Sequence, residues 1–391
     1  MDIRIIFAAT MLAGGIAGAS PYLPADGKQI VEHLPSRNDP AQREFQRLRK
    51  LLAAQPGDIN SATELAQKYI DAARNDGDPR YLGYAQAVLA PWWAQARPPL
   101  AVLVLRATLL QSSHQFPAAL ADLGLVLKQD RDNAQAWLTR ATVLQVQGQY
   151  AQAKNSCMHL YPLAPELVTT TCLSSIANLN GDAAQSYTQL VQAYKKNPAA
   201  DTGIRIWVLT LLAEMAGRRG DARTAELWYR QAMQLASPDS YLLASYADFL
   251  LDQKRATEVL PLLKDKTRVD ALLLRYALAL RAQRAPDASA QSEALGRRFD
   301  AAMMRGDTVH QREQARYELQ LKGNAAAALR LAQLNWEVQK ESADARIYLE
   351  AAVAAGDAKA AAPVLAWIRQ NGLQDAALAP LIARLDASGA A

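Results

Sequence analysis

The side chains best suited to chemistry sit together at Cys157, Met158 and His159, and the only other cysteine is Cys172. Thiolate, thioether and imidazole are donors that suit cuprous copper, so one reading is a soft-metal site built on Cys157, His159 and Cys172. A second reading is a disulfide between the two cysteines, and a third is a pair of buried free thiols. The remaining histidines, His33, His114 and His310, are scattered, and no HExxH motif is present. Glycines punctuate the chain singly, without a phosphate-cradling loop or a Gly-x-Ser-x-Gly elbow. Carboxylates are frequent but form no telling pair. These patterns predict a non-enzymatic protein with no cofactor and no resident metal.

Whatever these residues do, helices must position them. Half of the 391 residues are hydrophobic but only 7% are aromatic. Alanine and leucine dominate over the β-branched residues that favour strands. The stretch Arg106–Gln111 (Arg-Ala-Thr-Leu-Leu-Gln) returns 34 residues later as Arg140–Gln145 (Arg-Ala-Thr-Val-Leu-Gln). The echo continues, with Phe116 answered by Tyr150 and Ala119 by Ala153. Small residues such as Ala107, Ala141, Ala119 and Ala153 let two antiparallel helices approach, while Phe116, Tyr150 and Trp137 fill the space between successive pairs.

With its large, small, large, turn, large and small residues at Trp137, Ala141, Leu144, Gly148, Tyr150 and Ala153, the chain resembles the tetratricopeptide-repeat family. The resemblance implies an all-α, right-handed superhelical solenoid of antiparallel helix pairs, and the length suits about nine repeats with capping helices. A capping helix and a first degenerate repeat are expected over 40–99, broken at Gln55-Pro56-Gly57-Asp58 and closed by Arg97-Pro98-Pro99. Clearer repeats follow over 100–268, with turns at Gly181 and Gly220-Asp221 and an end at Ser237-Pro238. Degenerate repeats over 269–373 lead to a C-terminal cap and tail over 374–391. The second helix of the 270–305 repeat lacks a clean small-large pattern.

The amino terminus reads differently. Arg4 precedes an apolar run to Gly18, and Ala17 and Ala19 supply the small-x-small pattern for cleavage before Ser20. The expectation is a signal peptide over 1–19, an extended linker over 20–39, and a periplasmic or secreted protein. No further stretch is long and apolar enough to span a membrane. Export favours the disulfide, because Cys157 falls in the second helix of one repeat and Cys172 in the first helix of the next. The alternatives to an exported scaffold are the metal-handling protein and an intracellular scaffold or regulator.

The 43 basic and 38 acidic side chains leave a net charge of +5, interspersed along the helices. The basic runs Lys264-Asp265-Lys266-Thr267-Arg268 and Arg297-Arg298 are too short for a nucleic-acid stripe. Function is therefore expected in surfaces. Members of the family hold extended peptides or partner helices on the concave face lined by the first helix of each repeat. By that resemblance, a protein or peptide partner would meet Thr108, Gln111, Thr142, Gln145, Trp207, Thr210, Glu214, Tyr241, Asp248 and Arg281. The repeated Thr and Gln offer groups that can bond a partner's backbone. The bland reading is that they are relics of duplication on a solvated face. The lysine and asparagine set that clamps a terminal carboxylate in some relatives is not present at these positions. Trp92-Trp93, after Pro91, is either an interface anchor or a helix end closed on its neighbour.

Overall fold

A computed structural model describes residues 26–28, 39–235 and 238–389. The leader with Ala17, Ala19 and Ser20, most of the 20–39 linker, and Ser237 lie outside these residues. The chain divides into two compact units, 1–43 and 44–391. In the first, the described residues form a short turn, where Lys28 donates its backbone N–H to Asp26, and the start of α1, capped by Asp39. The second carries the helical stack.

Twenty α-helices, one π-helical segment (Glu318–Lys322) that continues α16, and no strand are found among the described residues. After α1 (Pro40–Ala54) come nine helix pairs: α2 (Ile59–Asp76) with α3 (Arg80–Trp93), α4 (Leu100–Ser112) with α5 (Phe116–Gln129), and α6 (Ala134–Val146) with α7 (Tyr150–Met158). Then α8 (Glu166–Leu179) pairs with α9 (Ala183–Lys196), α10 (Thr202–Arg218) with α11 (Ala222–Met233), and α12 (Ser240–Asp252) with α13 (Ala256–Leu263). The last three are α14 (Asp270–Ala282) with α15 (Ala288–Met304), α16 (Gln311–Tyr317) with α17 (Ala325–Val338), and α18 (Ser342–Ala355) with α19 (Ala362–Asn371); α20 (Ala379–Gly389) ends the stack.

Local chemistry sets these boundaries. Side chains of Asn133, Asp221, Asp239 and Asn324 accept from orphan N–H groups at the starts of α6, α11, α12 and α17. Pro99 and Pro165, which cannot continue a preceding helix, stand just before α4 and α8. The turn inside a pair needs one residue in the left-handed region: Gly148 has φ +74° there, and its counterpart 34 residues earlier, His114, holds φ 55°. The second helix of the seventh pair, α15, buries Leu295, Phe299 and Ala302 one helical turn apart. Its pattern is masked because Gly296 occupies a position against which the Tyr317 hydroxyl presses, where any Cβ would collide.

Each first helix, from α2 through α16, packs against the first helix of the next pair, whereas second helices have no comparable contact with one another. First helices therefore form the inner, shorter side of a curved stack. The curvature is strong enough that later pairs come back onto earlier ones. Ser240 donates to the Arg74 carbonyl at 3.2 Å, and the Gly77 turn meets Val269. Gln339 lies 3.4 Å from the His114 ring nitrogen, and Lys340 donates its N–H to the Val146 carbonyl at 2.7 Å. Gly372 lies on Gly181, and the Ala376 N–H bonds the Arg218 carbonyl at 2.8 Å. One apolar core accordingly joins Leu144, Tyr150 and Ile176 to Trp336, Tyr348 and Trp367. The turns of the first five pairs thereby meet the last four along a seam, and the first helices line the lumen inside it.

Candidate binding lumen

The lumen wall over α12–α18 is a charge network. Asp248 accepts from Arg275 at 2.5 Å and from Arg316 at 2.5 Å, so one carboxylate ties three successive first helices. Burial alone would raise its carboxyl, but the two guanidinium groups outweigh that and hold it at about 2. Farther along, Arg346 bridges Asp252 at 2.6 Å and Glu350 at 2.8 Å, joining the ninth pair to the sixth. Arg312 faces Glu341 at 2.9 Å and the fully buried Asp344 at 3.4 Å, whose carboxyl burial pushes up to about 6. Asp344 also accepts from Asn335 and from the Glu341 N–H, capping α18.

The lumen continues over α8–α12 with a different character. Glu214 accepts from the Tyr241 hydroxyl at 2.8 Å and from the Ser245 hydroxyl at 2.9 Å. Ser245 in turn bonds Tyr229 beneath it. Arg218 donates to Asn178, and Ser175 donates to Gln145. Tyr241 is 61% exposed, yet Glu214, burial and Glu341 together push its hydroxyl up.

The residues expected at the concave face are thus placed unequally. Glu214 and Tyr241 bond each other, and Asp248 lies in the cluster with Arg275 and Arg316. The Thr108, Thr142 and Thr210 hydroxyls donate to carbonyls of their own helices, at Val104, Leu138 and Ile206, and Thr210 is buried. Thr210 is therefore a packing residue and not a presented one. Gln145 is occupied by Ser175, Gln111 and Trp207 are half-buried, Thr142 is exposed, and Arg281 donates to the Gln320 carbonyl. Trp93 offers its carbonyl to Arg106, whose guanidinium also pairs bidentately with Asp122 and lies 5.7 Å from the Trp93 ring centroid. In the next repeat the same bridge is Arg140 to Ser156, at 2.6 Å. The basic run near Arg297-Arg298 is a helix-end contact, with Arg298 held by Asp270 and the Thr267 and Arg268 carbonyls.

Cys157 and Cys172 are bonded to each other, joining the third pair to the fourth. That removes both thiolates from the alternative metal site, and the His159 ring is stacked on Trp137 with centroids 4.0 Å apart. Reducing the bond, or changing both cysteines to serine, is expected to lower stability by about 3 kcal/mol for a loop of this size. Urea unfolding with and without reductant measures it, and coincident curves would count against the staple.

The six residues of the spacing pattern meet as expected: Ala141 and Ala153 are buried where α6 and α7 cross, Leu144 and Tyr150 fill the core, the half-buried Trp137 packs against it, and Gly148 turns between the helices. The repeats are tetratricopeptide-like. No family model and no curated protein matches the chain. Among solved structures, the Cut9–Hcn1 hetero-tetramer of the APC/C is similar at 12% identity and TM-score 0.49, covering 88% of this chain and 66% of that one. The chain thus spans about two thirds of the length of that protein. Human IFIT1, solved as a dimer with PPP-AAAA, matches at 16% identity and TM-score 0.43 over 89% of this chain and 85% of that one. The P58(IPK) TPR domain matches at 16% identity and TM-score 0.22 over 90% and 97%. Among the described residues, no helix is long and apolar enough to cross a membrane.

Proposed function

We propose that this chain is a non-catalytic scaffold of the cell envelope whose lumen holds a segment of a protein or peptide partner. The observation that carries the reading is the inner wall itself. On the first helices Thr142 and Tyr241 are exposed and Gln111 and Trp207 half-buried, which supports a polar and aromatic inner surface, while the apolar faces are spent on packing between pairs. A groove of this kind can bond a backbone in extended form without demanding one side-chain sequence. The envelope assignment draws on the leader-like residues 1–19 and on a disulfide, which persists in oxidising compartments.

The test is affinity capture from an envelope extract, with the wild-type chain beside a variant carrying Gln111→Ala, Thr142→Ala and Trp207→Ala. These three lie on the wall without closing the seam, so the variant is expected to fold. A partner lost with the variant supports the lumen, and one retained equally by both moves binding to another surface.

A further inference from the structure

The lumen carboxylates differ in one respect. Asp248, Asp252, Glu313, Glu341, Asp344 and Glu350 each have an arginine within ion-pair distance. Glu214 has none. Its bonds come from two neutral hydroxyls, Tyr241 and Ser245, and both fall on the same oxygen, Oε1. No donor of the described residues reaches Oε2. The nearest cation along α10, Arg218, gives its Nε to Asn178 and its carbonyl to Ala376. Burial accordingly raises the Glu214 carboxyl, against the pull of Arg218 and the two hydroxyls.

A part-buried carboxylate with no ion-pair contact among the described residues, feeling Arg218 only at longer range, gains from a cation brought into contact with it. The hydroxyls fix Oε1 and leave Oε2 free, and the exposed Tyr241 ring beside it offers a π face to a cation. We propose that Glu214 and Tyr241 form a binding site for an organic cation, the lysine or arginine side chain of an extended partner segment lying in the lumen. The proposal rests on the scaffold reading and narrows its ligand: a segment with at least one basic residue opposite the fifth and sixth pairs. The partner's cation supplies in the complex the contact that the six carboxylates named above already have from arginine.

The test uses the full chain and its Glu214→Gln variant, which keeps the acceptor for Tyr241 and Ser245 and removes only the charge. Probes are an array of extended ten-residue peptides bearing lysine, the same peptides with norleucine in its place, and spermidine. Glu214→Gln is expected to raise the Tm of the free protein. Lysine peptides are expected to bind wild type at least tenfold more tightly than the variant, and norleucine peptides to show no such difference. A lower Tm for the variant would make the carboxylate structural and overturn the proposal. Lysine peptides that bind both proteins equally would leave the scaffold reading standing and remove the cation site. Stabilisation of wild type alone by spermidine, with no peptide bound, would keep the cation site and remove the extended-segment reading. Discrimination by no probe would remove both.

Discussion

Asp248→Ala is expected to destabilise the protein by about 3 kcal/mol or more, because it strands two arginines that share one carboxylate. Arg275 is 9% exposed and also bonds carbonyls of Ala244 and Ala271, so it cannot swing into water when its partner goes. Arg316 retains only Gln320. Lumen water screens part of the loss, which keeps the figure at the low end of the range for broken buried pairs. The same site sets an acid limit. Asp248 titrates at about 2 in the fold and near its ordinary value of 3.8 when unfolded, so its contribution is fully present above pH ~4. It is lost as the pH falls from there towards 2. Asp344 has the opposite sign: raised to about 6, its ionised form is a burden that protonation lifts, so its share of stability grows as the pH falls through 6. Urea midpoints between pH 2 and 7 for wild type, Asp248→Asn and Asp344→Asn separate the two. An unchanged acid limb in Asp248→Asn would sink the first assignment.

Trp367→Ala should cost about 3–5 kcal/mol, the range for removing a buried aromatic. The ring is 9% exposed, lies edge-on to Trp336 with centroids 5.1 Å apart, and meets Tyr150 at 6.2 Å. Its Nε1 also rests over Gly148, where an added Cβ would come within 3.2 Å. Trp367 therefore holds the ninth pair to the third as well as filling its own pair. Loss of the ring is expected to lower the unfolding midpoint and to enlarge the radius of gyration in solution scattering as the seam loosens. A stability change with no change in dimensions would limit Trp367 to local packing.

The repeated stretch at Arg106–Gln111 and Arg140–Gln145 made the pair architecture legible, because packing within and between neighbouring pairs recurs at a fixed offset. The same repetition is less informative at the wall. Thr108 and Thr142 repeat, but a threonine inside a helix can bond its own preceding carbonyl, and here both do. The disulfide was readable from compartment and pair position together. The seam was not, since Gly148 and Trp367 stand 219 positions apart and no periodicity links them. The Asp248 triad had a weak sign: Arg275 interrupts the apolar run Leu272-Leu273-Leu274, and an arginine there implies a partner that the sequence does not name. Glu214 stood out only as a groove position, and its lack of a cation is a property of the folded wall.

Most stacked arrays lengthen or shorten by whole units at little expense, since each unit touches only its neighbours. Here the bonds from Lys340 to Val146 and from Ala376 to Arg218 tie units far apart in the stack. Deleting or duplicating one intervening pair would carry Trp367 past Gly148 and leave both surfaces facing the wrong register. The copy number is thus set by the register between successive turns of the stack, in which the first pair meets the sixth and seventh and the fifth meets the segment after the ninth.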